Sequence, residues 1–174
     1  RGIRRMLDRF MPRLAAVIAP SHHILALAER SKWFASVERR CIYNGVAMLG
    51  NAGINMAQTE ARRTLGLPQS QPVVALVSAD LRAVHKGVRW GIDAFAGLRT
   101  PDKARLLVVG PLAEGHRVAR TLAPRPVTCV HARDDATLAA AYRAADVTLM
   151  PSLAESFSLV TAESLACGTP MVGF

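Results

Sequence analysis

Two carboxylates eight positions apart and two cations four positions apart are the residues of this sequence best suited to chemistry. The carboxylates are Glu155 and Glu163, and the cations are Arg82 and Lys86. An Arg and a Lys side by side bind anions such as phosphates, the Arg as a fork and the Lys as a point charge. A carboxylate accepts both hydrogen bonds of a vicinal diol and so suits a sugar. Together these residues favour a ligand with a sugar at each end of a diphosphate, which is a nucleotide sugar.

The segment around the carboxylates also predicts a helix N-terminus. Ser158 suits the N-cap position, which places Glu155 in the preceding loop and Glu163 in the second helical turn. The backbone N–H groups of Phe157, Ser158 and Leu159 would then face an anion, together with the positive end of the helix dipole. On spacing alone, the alternative is that both glutamates are solvated surface residues.

Alternating apolar runs and amphipathic stretches from residue 59 onwards predict the elements that position these residues. Uninterrupted apolar runs are typical of parallel strands buried on both faces. The predicted strands are Pro72–Val77, Ala104–Val109, Pro126–Val130, Asp146–Met150 and Pro170–Val172. The predicted helices are Lys86–Leu98, Leu112–Leu122, Asp135–Ala145 and Ser158–Cys167. This order predicts an α/β fold with a doubly wound parallel sheet, whose ligands bind beyond the carboxyl ends of the strands.

The chain is expected to be a fragment that is truncated at both ends. It begins with Arg1 rather than Met, and its last predicted strand has no helix after it. We assign residues 1–46 to the remnant of a preceding domain, 47–58 to a linker and 59–174 to the doubly wound domain. The preceding segment contains three predicted elements, the strand Ala15–Ala19, the helix His22–Trp33 and the strand Arg40–Tyr43.

Charge and composition exclude several classes of protein. The 174 residues carry 22 Lys and Arg against 13 Asp and Glu, and only 5% are aromatic, so base-stacking platforms for nucleic acid are missing. No apolar run is long enough to span a membrane. Residues 1–14 combine apolar and basic residues at helical spacing and could lie on an anionic membrane surface; the alternative is a helix packed on a missing domain. The three cysteines are far apart and predict neither a disulfide nor a metal site.

The spacing of the two glutamates resembles a family signature. Glu155-x7-Glu163, inside PSLAESFSLVTAESLACGTPMV, is similar to the Glu-x7-Glu motif of the group 1 (family 4) glycosyltransferases of GT-B fold. Shorter matches occur in the expected order along the chain: IAPS, IYNGV, LRAVHKG, LLVVG and LAAAYRAADVTLMPS. The resemblance implies a C-terminal, Rossmann-like, nucleotide-sugar-binding domain with part of an N-terminal acceptor domain.

The resemblance also implies an activity and a role for each site residue. It implies a retaining hexosyltransferase of polysaccharide assembly, without an essential metal or other cofactor. Independently of the resemblance, the scattered cysteines favour a reducing compartment, the cytoplasm, and the basic residues 1–14 would place the protein at the inner membrane face if they bind the membrane. Its partners would be a nucleotide-sugar donor and a glycan or lipid-linked acceptor, and the fragment alone would be inactive. Glu155 would contact the hexose and stabilise the transition state, and Glu163 would bind the ribose. The remaining donor contacts would come from Arg82, Lys86, Phe157, Ser158 and Leu159, with His131 and Arg133 near the base.

The sequence departs from the family pattern and leaves two other functions open. Ser156 and Ser158 stand where the family usually has glycine, which would cost about 1 kcal/mol wherever the loop requires a positive φ. The first alternative is a nucleotide-sugar-binding module without transfer activity. The second is a GT-B relative with different chemistry, such as a sugar-nucleotide epimerase or a phosphorylase.

Overall fold

A computed structural model describes residues 2–34, 36–46, 55–99 and 103–173. The chain forms two compact units, and each is described by itself. The first comprises Arg1–Gly45 with Glu155–Phe157, and the second comprises Val46–Ala154 with Ser158–Phe174. Most of the predicted linker lies outside the described residues, so the three-part domain assignment stays a prediction. In the described ranges, no helix is both long and apolar enough to cross a membrane.

The first unit contains a small parallel sheet and two helices. Its elements are α1 (Gly2–Phe10), a 3-10 turn (Met11–Arg13), β1 (Ala16–Ala19), α2 (His22–Glu29) and β2 (Glu38–Cys41). β1 and β2 pair in parallel, with Ala16 opposite Glu38. β2 begins two residues before the predicted strand, because the apolar residues Ile42 and Tyr43, which suggested a strand, follow it and are exposed.

The second unit alternates strands with helices as predicted. Its elements are α3 (Gln58–Thr64), β3 (Val73–Val77), a 3-10 turn (Val84–Lys86), α4 (Val88–Ala96), β4 (Arg105–Val109), α5 (Leu112–Leu122), β5 (Val127–Val130), α6 (Asp135–Ala144), β6 (Val147–Met150), α7 (Leu159–Ala166) and β7 (Met171–Gly173). All five strands are parallel, in the order β5-β4-β3-β6-β7. Every predicted strand of this unit is therefore present.

Successive residues of the central strands face opposite sides of the sheet, and helices cover both sides. On one side, Val73 and Ala75 of β3 pack in a buried cluster with alanines of α3 and α6. On the other side, Leu76 of β3 packs with Phe95 of α4 and Leu122 of α5. This explains why the strand sequences are apolar without alternation. The sheet is doubly wound, as predicted.

The direction in which strands are added reverses between β3 and β6. From β3 the chain adds β4 and then β5 on one side, and it then returns to add β6 and β7 on the other side of β3. In open α/β sheets, ligands bind beyond the carboxyl ends of the strands at such a switch point. The loops that follow β3 and β6 therefore lie where a ligand site is expected.

An ion pair between a buried guanidinium and a partly exposed carboxylate fixes α3 to the start of β6. The Arg62 side chain is 6% exposed, and its Nη2 lies 2.7 Å from Oδ2 of Asp146. The same guanidinium donates to the carbonyl oxygens of Ala144 and Gln69, and the Asp146 carboxylate also accepts from the Val73 backbone N–H. These contacts lie at the amino ends of β3 and β6, so they stabilise the fold at the edge away from the switch point.

Candidate functional site

The loop after β3 is folded by its own polar side chains. Asp80 Oδ1 accepts hydrogen bonds from the backbone N–H groups of Arg82, at 2.9 Å, and Ala83, at 3.2 Å. The Ser78 hydroxyl donates to the Asp80 carbonyl oxygen at 2.9 Å. This turn sets the path of the chain into the 3-10 turn that ends at Lys86, so the Asp80 carboxylate serves as a local structural group.

The loops after β3 and β6 are joined directly. The Leu153 backbone N–H donates to the His85 carbonyl oxygen at 2.8 Å. Beside this bond, Gly87 adopts a φ of +60°, and a Cβ atom there would overlap the carbonyl oxygen of Pro151. Gly87 thus provides both the left-handed conformation and the close approach of the two backbones. The sequence predicted that this helix begins at Lys86. The left-handed Gly87 explains why α4 begins at Val88 instead.

The two predicted cations occupy different surroundings. Lys86 is partly buried and directly precedes Gly87, so it lies at the junction of the two loops. Arg82 is exposed and lines a cavity of about 780 Å³ together with Trp90 of α4 and Arg117 of α5. The structure therefore brings Lys86 to the switch point and places Arg82 towards the α4–α5 side. Their shared role in binding a diphosphate stays a prediction.

Ser158 caps α7 in a strained conformation. Its φ is +64°, and its Oγ accepts from the Thr161 backbone N–H at 3.3 Å. The predicted N-cap is thus present. At this position the family that the sequence resembles usually has glycine, which adopts a positive φ without strain. Leu159 is the first residue of α7. Both residues belong to the second unit.

Glu155 and Phe157 are grouped with the first unit. In that unit the Phe157 ring lies 6.1 Å from the Tyr43 ring, centroid to centroid, with a tilt of 40°. Glu155 is partly buried in the loop before α7, as its predicted position required. Their proposed contacts with a hexose and a phosphate stay predictions.

Glu163 lies in the second turn of α7, half-buried, and has a buried partner. The Tyr142 hydroxyl donates to Glu163 Oε2 at 2.8 Å. Tyr142 is fully buried in α6. Burial, and next the hydrogen bond to Glu163, raise the pKa of the Tyr142 phenol, so it remains a proton donor at neutral pH.

A buried polar network fixes α7 to its neighbours. The Ser164 hydroxyl lies 2.8 Å from Thr148 Oγ1 of β6 and 2.9 Å from the Thr169 carbonyl oxygen. The Thr169 hydroxyl in turn donates to the carbonyl oxygen of Tyr142 at 2.7 Å. Buried hydroxyls that all have partners favour a single arrangement of the elements that carry them. Glu163, one residue before Ser164, therefore stands on a well-fixed helix.

His131 and Arg133 follow β5 at the same edge of the sheet. Both are exposed, and Arg133 Nε donates to His131 Nδ1 at 3.4 Å. β4 and β3 lie between β5 and β6 in the sheet, so this loop is two strands away from β3 and the switch point. The structure thus does not place these residues at the junction of the two loops, and their contact with a nucleotide base stays a prediction. Within the described ranges, no group of three His, Cys, Asp or Glu side chains could hold a metal ion.

Comparison with known families decides how these features are classified. The family profile described as glycosyl transferases group 1 matches residues 71–174. This range runs from just before β3 to the end of the chain and contains the whole five-stranded sheet with its connecting loops. The chain belongs to the group 1 glycosyltransferases. The family resemblance drawn from Glu155 and Glu163 is confirmed.

Curated relatives of this glycosyltransferase chain carry one recurrent name. The D-inositol 3-phosphate glycosyltransferase 2 of Catenulispora acidiphila is 38% identical over 126 residues, which are 64% of this chain and 29% of that protein. The D-inositol 3-phosphate glycosyltransferase of Corynebacterium glutamicum is 33% identical over 135 residues, which are 71% of this chain and 32% of that protein. The chain thus spans less than a third of the length of these relatives.

Solved structures confirm the GT-B-type fold of the glycosyltransferase chain. Sucrose-phosphate synthase from Thermosynechococcus elongatus matches with a TM-score of 0.74 and 28% identity, over 96% of this chain and 43% of that one. The Anabaena HepE protein, solved in complex with UDP and glucose, matches with a TM-score of 0.74 and 23% identity, over 98% of this chain and 47% of that one. The predicted fold class is therefore confirmed.

Sequence reasoning did not single out Tyr142, which contacts Glu163 in this glycosyltransferase. A signal was present, because the other buried residues of α6 are alanines and only a long side chain with a polar tip could reach a neighbouring helix. The partner of that tip depends on how α6 and α7 pack, and no local pattern encodes this.

Proposed function

We propose that this chain supplies the donor site of a retaining hexosyltransferase, which transfers a hexose from a nucleotide sugar to a glycan or lipid-linked acceptor. The observation that carries the proposal is the joining of the loops after β3 and β6, through Leu153 and His85, at the switch point of the sheet. HepE, which shares this fold, is solved with UDP and glucose. Two of the curated relatives are named as glycosyltransferases of an inositol phosphate.

The diphosphate would lie at the N-terminus of α7 beside Lys86. The backbone N–H groups of Ser158 and Leu159, with that of Phe157, would donate to phosphate oxygens, and the helix dipole adds to the positive charge. Arg82 would neutralise the remaining charge from the α4 side. Glu163 would accept from the ribose hydroxyls, while His131 and Arg133 would meet the base.

In the transfer step, the bond between the anomeric carbon and the diphosphate oxygen breaks and its electron pair leaves with the nucleotide diphosphate. The acceptor oxygen bonds to the same carbon on the same face, and its proton passes to the departing diphosphate oxygen. The Lys86 ammonium and the α7 N-terminus would stabilise the negative charge that develops on the leaving group. Glu155 would stabilise the positive charge that develops on the sugar ring, in the role that the family resemblance gives it.

The test compares two variants. One loses a positive charge at the junction of the two loops, and the other loses a positive charge at the opposite edge of the sheet. In the full-length protein, Lys86→Met should lower kcat/KM for the donor about 100-fold, because a charge-assisted hydrogen bond to the leaving group is lost. The matched control is Lys103→Met, an exposed lysine just before the amino end of β4. Donor consumption is followed with a panel of nucleotide sugars, with and without acceptor extract. Equal rates for the two variants would contradict the proposal.

We also propose that helix α1 brings the enzyme to an anionic membrane surface that holds a lipid-linked acceptor. Residues 1–14 contain five arginines and one aspartate. Met6 and Phe10 of α1 are each 52% exposed, so apolar side chains stand among the bases. Basic helices with exposed apolar side chains bind anionic headgroups by charge and shallow insertion.

A further inference from the structure

One carboxylate oxygen of Glu163, the proposed ribose ligand, is already engaged within the protein. Oε2 accepts from the Tyr142 hydroxyl at 2.8 Å, and the phenol ring behind this hydroxyl is fully buried. A carboxylate held at one oxygen keeps lone pairs at the other for a further donor. Glu163 is partly buried, so part of this residue is accessible to solvent.

Packing and a backbone hydrogen bond hold Tyr142 in one position. Its ring packs with Ala139 and Cys167 in a buried cluster, and Val160 of α7 packs against that cluster. Its backbone carbonyl accepts from the Thr169 hydroxyl at 2.7 Å. Because the ring cannot leave this position without opening the core, the direction of the hydroxyl limits the rotamers open to Glu163.

We propose that Tyr142 is a positioning residue, which holds the Glu163 carboxylate in the orientation that accepts the hydrogen bonds of the donor's ribose diol. This inference rests on the proposed function, because it takes Glu163 as the ribose ligand. Tyr142 touches no substrate atom and acts only through Glu163. Its contribution is preorganisation: without the phenol, the carboxylate must be ordered when the ligand binds, and that ordering lowers the affinity.

A purely structural role for the same hydrogen bond makes a different prediction. If the bond only stabilised the packing of α6 against α7, its loss would weaken all ligands of the site equally. If it orients Glu163, its loss weakens ligands that have a ribose 2′-hydroxyl more than ligands that lack it. Ribonucleotides and 2′-deoxyribonucleotides differ by this one group, so their affinity ratio reports on the orientation of the carboxylate.

The experiment measures this ratio by titration calorimetry on the full-length protein. The probes are UDP, GDP and ADP with their 2′-deoxy counterparts, and the pair that includes the tightest ribonucleotide is used throughout. Tyr142→Phe keeps the ring and removes only the hydroxyl. We expect it to weaken ribonucleotide binding about fivefold and to change deoxyribonucleotide binding less than twofold, as for the loss of one oriented hydrogen bond.

The matched control is Thr169→Val, which keeps the side-chain shape and removes a buried hydrogen bond to the same tyrosine backbone. It should lower the unfolding midpoint without changing the ribose-to-deoxyribose ratio. An unchanged ratio in Tyr142→Phe, or an equal loss for both probes, would overturn the inference.

Failure of the proposed function has a separate outcome. Glu163→Gln should abolish most of the preference for the ribonucleotide. If that variant keeps the full preference, or if none of the three ribonucleotides binds the wild-type protein, the donor site itself is wrongly assigned. If Glu163→Gln loses the preference while Tyr142→Phe keeps it, the donor site stands and the inference about Tyr142 is refuted.

Discussion

Gly66 and Gly87 adopt the same left-handed conformation in very different surroundings. Their φ angles are +64° and +60°. A Cβ atom at Gly66 would have no neighbour within 4 Å, whereas one at Gly87 would overlap the backbone of Pro151. The pair therefore separates the cost of backbone conformation from the cost of a lost close approach.

Gly66→Ala should lower the free energy of unfolding by about 1 kcal/mol, the cost of placing alanine in the left-handed region. Gly87→Ala should lower it by about 3 kcal/mol or more, because the loops after β3 and β6 must also separate. Urea denaturation measures both values. The Gly87 variant should also lose donor binding, and an intact affinity there would show that the two loops need not meet for the donor to bind.

Ser158 combines a favourable cap with an unfavourable φ of +64°. Ser158→Ala loses the cap and keeps the strain, so it should cost about 1 kcal/mol of unfolding free energy. Ser158→Gly loses the cap but relieves the strain, so its unfolding free energy should equal or exceed that of the wild type.

The control for Ser158 is Asp134, the N-cap of α6, whose φ is −141°. Because this backbone is extended and unstrained, glycine at Asp134 brings no relief and should destabilise the protein. If the glycine variant were less stable than the wild type at both caps, or more stable at both, the result would argue against strain at Ser158.

At the scale of the elements, the contact between α3 and β6 depends on one buried guanidinium. Arg62 is 5% exposed and bonds the Asp146 carboxylate and two backbone carbonyls, whereas its neighbour Arg63 is exposed. Removing this buried guanidinium leaves the two backbone carbonyls that it bonds without their donor. Arg62→Ala should therefore lower the unfolding free energy by about 3 kcal/mol.

Arg63→Ala is the matched control for Arg62→Ala, because it removes the same charge from the same helix at a solvated position. Its unfolding free energy should lie within about 0.5 kcal/mol of the wild type. Guanidinium chloride denaturation with far-UV circular dichroism measures both variants. Similar losses in the two variants would indicate that helix propensity or net charge, rather than the contacts of the buried guanidinium, sets the stability.

The sequence predicted the elements of the second unit well because its strands are buried on both faces and separated by amphipathic helices. The boundaries that failed have local causes. α4 begins at Val88 rather than at Lys86, because the left-handed Gly87 precedes it. β2 carries its charges within the strand, so an apolar pattern placed it two residues late.

The candidate site could be predicted only in part. Lys86, Ser158 and Glu163 are marked by residue type and by their position at strand and helix ends, and the structure places them there. The position of Arg82 towards α4 and the partner of Glu163 depend on side-chain packing between distant segments. Since such contacts follow from the tertiary arrangement, the spacing of residues alone does not contain them.

At the scale of the whole chain, residues 1–41 carry nine Lys and Arg against three Asp and Glu and so supply most of the formal net charge of +9. Vesicles that contain anionic phosphatidylglycerol should sediment the protein at low salt and release it at high salt, because the attraction to the surface is screened. Arg5→Glu combined with Arg9→Glu should abolish sedimentation.

The control for the membrane test makes the same charge change on α5, with Arg117→Glu combined with Arg120→Glu, both at exposed positions. This variant should still sediment with anionic vesicles. Sedimentation with purely zwitterionic phosphatidylcholine vesicles, or equal loss in both double variants, would contradict a specific role for α1.

The reversal of strand order between β3 and β6 has a consequence for synthesis on the ribosome. The loop after β3 is synthesised first. The loop after β6 follows only when β4 and β5 have been made and β6 has returned to the far side of β3. If the donor binds at the proposed site, only a chain whose later strands have docked can hold it. A bound nucleotide sugar would then protect β6 and β7 from proteases, because it stabilises only the fully assembled sheet.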